Sequence, residues 1–391
     1  MSDKILQSRI FISLMLLWLA GVALRLTILA VPPLIPMIHD ELKLSATQVG
    51  ILTGLPSMLF AIVAVPGSLL IARLGIRAAL VVGLALTAIG GALRGALLDV
   101  TWLYAMTIAM GAGVAIMQVA LPPAVRAWVP HRIAFATALY TNGLLIGEIL
   151  PVALMFAVLP FFGSWQAAFV AWSIPVALIA VTVMWLAPSP ASSDSTPARR
   201  RWWPDWRNAL IWRLGIMLGT INAIYFATNA FIPDYLRDRG QDEWIAAALI
   251  GLNVGQLPAS MLLLAFASRL ERKVWPYIVC GLVCVIATGG IVFGTGAWVV
   301  AAATVQGFAA SIILILVLAL PPLLSAPDDV HRVTAAMFTI SYSCAVIVPV
   351  ISGLAWDLTG IASTSFLPIA LCGILLVVLA PAINHVPRPG R

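Results

Sequence analysis

Charge is what this sequence has least of. Asp, Glu, Lys and Arg make up 9% of its 391 residues, while 62% are hydrophobic. Soluble domains carry about 25% charged residues. The composition therefore excludes a soluble enzyme, a nucleic-acid-binding module and a disordered chain. Lysine is scarcer still: Lys4, Lys43 and Lys273 stand alone. None follows the glycine spacing of a phosphate-binding loop, which excludes an ATP-driven pump within this chain. Neither His-Glu-x-x-His nor Gly-x-Ser-x-Gly occurs. Cys280, Cys284, Cys344 and Cys372 all lie inside apolar runs. They read as small core hydrophobes and not as a disulfide framework or zinc site. His39, His131, His331 and His385 fall at the edges of those runs or in loops. A buried histidine metal site or proton relay is not expected, nor is any cofactor.

What the sequence has is long apolar runs. They span about 10–38, 49–72, 78–98, 102–124, 134–158 and 165–187, then 209–236, 244–268, 275–294, 298–320, 335–358 and 364–386. A membrane-spanning helix needs about 20 such residues. The expected fold is an all-α integral membrane protein, with twelve transmembrane helices in two pseudo-symmetric six-helix bundles. The bundles are residues 1–187 and 209–391, and a Pro-, Ser- and Arg-rich connector, 188–208, joins them. The first run is far longer than a signal-peptide core, so it is expected to stay in the mature protein. With the N-terminus inside, 17 Lys and Arg residues fall on the cytoplasmic side and only Lys43, Arg237 and Arg239 outside. This bias predicts cytoplasmic termini and a cytoplasmic connector. The net charge of +7 thus marks inner loops and not a nucleic-acid partner.

The two halves repeat. Leu34-Ile35-Pro36 matches Phe231-Ile232-Pro233, and Arg73-Leu74 matches Arg269-Leu270. Leu121-Pro122-Pro123 matches Leu320-Pro321-Pro322, and His131-Arg132 matches His331-Arg332. The offsets are 197, 196, 199 and 200. Two parallel six-helix repeats are the architecture of major-facilitator transporters, which hold substrate near the midplane between the halves. Ala23-Leu24-Arg25, Val31-Pro32-Pro33-Leu34-Ile35-Pro36, Leu44-Ser45, Gly50-Ile51-Leu52 and Leu55-Pro56 resemble the cyanate/nitroimidazole transporter family of that superfamily. Gly90-Gly91-Ala92-Leu93-Arg94 and Leu121-Pro122 to Arg126 are similar to its third and fourth helices. The chain departs from the family at Ala23 (usually Asn) and Leu26 (often Pro), and from the superfamily at Ala72 (usually Asp). Of the loop between helices 2 and 3, Arg73, Gly75 and Arg77 keep the pattern, and the resemblance implies a conformational role for them.

Arg25 is the sharpest single feature. It falls near the middle of the first run, where a charge costs from a few to more than ten kcal/mol unless it faces the bundle interior. It reads as a contact for an anionic or polar solute, its guanidinium offering a planar fork of donors, or as a structural arginine. Glu148 is the only acid well inside a run. It reads as a proton carrier or as the ion-pair partner of Arg25 or Arg94. Arg94, in the last turn of the third run, reads as a snorkelling side chain. The neutral candidates for substrate contact are Gln118, Tyr140, Asn142, Asn222, Tyr225, Asn253, Gln256, Gln306 and Tyr342. Asn222 precedes Pro233 by the same 11 residues that separate Arg25 from Pro36. The repeat therefore predicts equivalent heights for Arg25 and Asn222. Prolines and glycines within the runs predict close packing and bending helices.

The resulting expectation is a secondary transporter of the bacterial inner membrane, working by alternating access. It would move a small polar or anionic solute, such as a cyanate-like anion or a planar nitroheterocycle, with protons as a candidate coupling ion and lipid and substrate as its partners. It is expected to act as a monomer. A drug exporter with an apolar pocket and a passive channel are alternatives. An intramembrane enzyme would need converging acids, a Ser/His pair or a metal set, and Glu148 stands by itself in the sequence.

Overall fold

The computed structural model describes residues 2–44, 46–188 and 202–381. Most of the expected connector, residues 189–201, lies outside the described residues, as does the chain beyond 381. Among the described residues every regular element is helical. Twelve segments are long and apolar enough to cross a membrane.

The chain divides into two compact units. The first comprises Met1–Pro204 with Pro327–Ala335, and the second Asp205–Ala326 with Ala336–Arg391. In the first unit the helices are α1 (Ser2–Leu26), α2 (Ile35–Leu42), α3 (Ala46–Leu74), α4 (Ile76–Leu93), α5 (Val100–Trp128), α6 (Ile133–Phe162) and α7 (Trp165–Leu186). The second half of the chain forms α8 (Ala209–Asp238), α9 (Ile245–Val254), α10 (Gln256–Leu270), α11 (Trp275–Phe293), α12 (Ala297–Leu324), α13 (Val330–Thr359) and α14 (Leu367–Leu379). The first turn of α13 groups with the first unit. There Arg332 pairs with Asp329 and donates from Nε to Trp203 O at 2.8 Å. Ser68 holds the neighbouring Trp202 carbonyl at 2.9 Å.

Two runs that read as continuous are broken. Proline has no N–H to return to the carbonyl four residues back. Pro32, Pro33 and Pro36 thus deprive three carbonyls within one short stretch, and α1 stops at Leu26. The chain passes through turns, in which Ile28 and Leu29 both donate to Arg25 O, and a 3-10 turn at Pro32–Leu34. It restarts as α2 with a proline in its first turn, where no N–H is needed. A lone Pro233 leaves α8 continuous to Asp238, so this part of the repeat matches in sequence but not in helix continuity. The run 244–268 is interrupted at Gly255, between α9 and α10, where Pro258 withholds a donor from the Val254 carbonyl. The last run opens with a 3-10 segment, Ala362–Phe366, and continues as α14, Leu367–Leu379; its end beyond 381 lies outside the described residues.

The helices sort by how much of their surface is covered. α5 and α12 are the most deeply covered, 83% and 78% buried along their apolar stretches, so each is a central helix of its half. At the other extreme, Phe161 and Phe293 are each 86% exposed, as suits a surface in contact with hydrocarbon. Glycines set the closest seams. A methyl on Gly21 would lie on the Tyr140 carbonyl oxygen, one on Gly143 on that of Trp18, and one on Gly147 on that of Val22. Gly143-x-x-x-Gly147 is the small-residue spacing that brings membrane helices together, and here it joins α6 to α1. In the second unit the same spacing sits on the other partner. Gly215 and Gly219 of α8 receive Ile340 and Cys344 of α13.

Candidate functional site

The α1–α6 seam brings two charges together. Gly147 abuts Val22, so Glu148, the next residue on α6, meets Arg25, one turn beyond Gly21 and Val22. Arg25 Nε lies 3.1 Å from Glu148 Oε1, with side-chain exposures of 12% and 22%. The Phe60 ring of α3 lies 5.3 Å from the guanidinium carbon. Arg25 is therefore not a lone cation and Glu148 is not a lone acid. Arg25 also sits in the last turn of α1 and not at the middle of a long helix, because the proline cluster ends the helix just beyond it. A guanidinium against a carboxylate, partly open, can do two things chemically. It can accept an anion in place of the carboxylate, and the carboxylate can take a proton.

The neutral candidates gather into separate groups within each unit. In the first, Asn142 accepts from Trp18 Nε1 at 3.1 Å across the same seam. Tyr140 and Gln118 are buried on α6 and α5. In the second unit, Tyr225 donates to Asn253 Oδ1 at 2.5 Å, Asn253 to Asn229 Oδ1 at 3.1 Å, and Asn229 back to the Tyr225 carbonyl at 2.9 Å. This closed circuit ties α8 to α9. Asn222 donates to Ser341 Oγ at 2.8 Å beside the glycine seam to α13. Gln306 of α12 donates to Thr228 Oγ1 at 2.8 Å, and its Oε1 has no partner among the described residues. Gln256 opens α10 with Nε2 buried and likewise unpartnered among those residues. Tyr342 stacks on Phe338, their ring centroids 6.1 Å apart.

The loop residues fall at the junction of α3 and α4. Arg73 is in the last turn of α3 and Arg77 in the first turn of α4, where it donates to the Met184 carbonyl of α7. Gly75 between them has φ 84°, which a side chain would strain.

Arg94 corrects the sequence reading. It does not snorkel: its side chain is fully buried and lies over Phe169, 3.9 Å from the ring centroid. The position looked peripheral because it ends a run, but α1 and α7 close over it. Gly90, Gly91 and Gly95 were the available signal, since all three allow neighbouring helices to approach closely. Trp18, Phe60 and Thr228, partners of the candidates, carried no signal beyond apolar or small character.

Among the described residues, twelve helical segments apolar enough to cross a membrane, in two units with a partly open ion pair in one of them, are the framework of a polytopic membrane protein. The Major Facilitator Superfamily profile matches residues 17–349, and the chain belongs to that superfamily. Among curated proteins it is 28% identical over 259 residues to the uncharacterized transporter YycB of Bacillus subtilis, a match covering 64% of this chain and 62% of that one. It is 26% identical over 266 residues to the cyanate transport protein CynX of Escherichia coli, covering 66% and 68%. It is 25% identical over 359 residues to the 2-nitroimidazole transporter of the same organism, covering 91% of each. The fold is similar to that of FucP, a Major Facilitator Superfamily transporter whose own structure is in the outward conformation (TM-score 0.78, 17% identity, 96% of this chain and 99% of that one). It is also similar to that of the proton:xylose symporter XylE (TM-score 0.77, 14% identity, 98% and 97%).

Proposed function

We propose that this protein is a proton-linked carrier of a small monovalent anion of the cyanate class, in a bacterial inner membrane with both termini cytoplasmic. In this reading Arg25 and Glu148 are the residues where anion and proton meet. The observation that carries it is their ion pair. With Glu148 ionised, the carboxylate occupies the guanidinium and an anion must compete with it. A proton on Glu148 cancels that charge and releases Arg25 Nε. The anion then takes the vacated donor, in a charge-assisted hydrogen bond stronger than a neutral one. Neutral candidates such as Asn142 and Tyr140 would then orient the solute. Arg73, Gly75 and Arg77 would serve the conformational change.

The Glu148→Gln protein tests the reading. It should lose accumulation driven by a pH gradient while keeping anion counterflow, with uptake flat across pH. Unchanged proton-driven accumulation would remove Glu148 from the coupling.

A second reading, a neutral planar nitroheterocycle, is favoured by one observation: the relative matched along 91% of both chains is a 2-nitroimidazole transporter. Under that reading the Tyr225–Asn253–Asn229 circuit and the Tyr342–Phe338 stack are the contacts to test. Transport should then survive Arg25→Gln.

A further inference from the structure

Arg94 is the buried cation that the cycle above leaves unused. It caps the C-terminus of α4 and is 0% exposed. Its Nε donates to the Gly91 carbonyl at 3.3 Å and its Nη2 to the Thr27 carbonyl at 2.9 Å, both neutral acceptors. Among the described residues Arg94 makes no ion pair. Glu41 reaches the same end of α7, but it accepts from Trp165 Nε1 and Gln166 Nε2.

Three buried polar groups, on α7 and at the ends of α1 and α4, have no partner among the described residues: Arg94 Nη1, Thr27 Oγ1 and Trp172 Nε1. Thr27 is the residue whose carbonyl already holds Arg94. Trp172 lies one turn along α7 from Phe169, the ring under the guanidinium, and residues so spaced share a helix face. Gly91 closes the corner. A methyl there would fall 2.6 Å from Ser173 Oγ and 3.2 Å from Thr27 Cγ2, so α1, α4 and α7 meet at this point. Ser173 is accounted for, donating to the Phe169 carbonyl at 2.7 Å. All three unpartnered groups can donate, and one of them is a full positive charge. The C-terminal ends of α1 and α4 offset part of that charge through their helix dipoles. They give no acceptor to Nη1, the indole or the hydroxyl. Buried donors and buried charge both demand a partner, and one species would answer all three groups and the charge together. We propose that Arg94, Thr27 and Trp172 hold a small monovalent inorganic anion, of halide size, where α1, α4 and α7 meet. It would be bound apart from the Arg25–Glu148 pair and would brace the break that follows α1.

The test is thermal melting of the purified full-length protein in detergent, at constant ionic strength, with sodium gluconate replaced stepwise by sodium chloride or bromide. The expected result is a saturable rise in Tm with chloride and bromide, gluconate being too large for the site. Arg94→Gln should abolish the rise. Arg25→Gln, which disables the proposed transport pair, should retain it, so failure of one assignment is distinguishable from failure of the other. Thr27→Val and Trp172→Phe each delete one donor at nearly constant volume. Each should raise the half-saturating chloride concentration by about tenfold. A wild-type Tm indifferent to the anion would mean that helix ends and water suffice, and would overturn the proposal. A full chloride response in Arg94→Gln would do the same. If Arg94→Gln does not fold, the two donor deletions decide, and unchanged half-saturation in both overturns it.

Discussion

Arg25 meets Glu148 through its Nε, one donor of the planar guanidinium that, on the proposed cycle, passes from the carboxylate to the anion. Lysine keeps the charge but loses that geometry. Arg25→Lys should therefore weaken anion binding by about tenfold or more, as one charge-assisted hydrogen bond of about 1.5–3 kcal/mol implies; titration of the purified variant measures it. The pair also has a stability signature. Removing one partner of a buried pair costs about 3–5 kcal/mol, and less here because both side chains are partly open. Glu148→Ala and Arg25→Ala should each lower Tm, and the double variant should recover part of the loss. Additive losses in that cycle would show that the two charges are energetically independent. Both residues were conspicuous in the sequence, because a charge inside an apolar run has no other company. Their pairing was one of the readings the sequence left open, with Arg25 and Arg94 as alternative partners of Glu148. The choice between the two arginines depends on the register of α6 against α1, which three glycines set.

Helices are held at that register by the absence of side chains. Gly147→Leu would drive a branched side chain onto the Val22 carbonyl. Overpacking of this kind costs about 1–3 kcal/mol, and the displaced seam would also part Arg25 from Glu148. The expected outcome is a lower Tm together with lost transport, whereas Gly54→Leu, at a position with open space around it, should leave the Arg25–Glu148 seam intact. Equal effects at both positions would remove the seam from the argument. Element existence was readable from hydropathy throughout, since the twelve apolar runs correspond to twelve segments, among the described residues, long and apolar enough to cross a membrane. Continuity was misread in the first and eighth runs. Hydropathy does not register a missing N–H, so Pro32, Pro33, Pro36 and Pro258 were read as bends within continuous helices and not as the breaks they make. Arg94 was misplaced for a related reason: the end of a run looks exposed until the neighbouring helices are known.

At the scale of the whole molecule, the distribution of Lys and Arg makes a prediction independent of any site. Cysteine substitutions within 188–208 should be labelled only from the cytoplasmic side, and those within 39–48 and 237–243 only from outside. Labelling of the connector from outside would reverse the orientation and unsettle the assignment of seventeen positive charges to the inner face. The opposed charges of Arg25 and Glu148 have a further consequence for the energy source of transport. A pair that is neutral when empty, and neutral again when it holds one anion and one proton, carries no net charge across the membrane. A membrane potential, worth about 2.3 kcal/mol per charge per 100 mV, then does no work on the cycle. On the proposed cycle the accumulation ratio would answer to acidity alone, about tenfold for each unit of pH difference. In proteoliposomes, potassium with valinomycin should leave uptake unaltered, while nigericin, which exchanges potassium for protons, should bring it to zero.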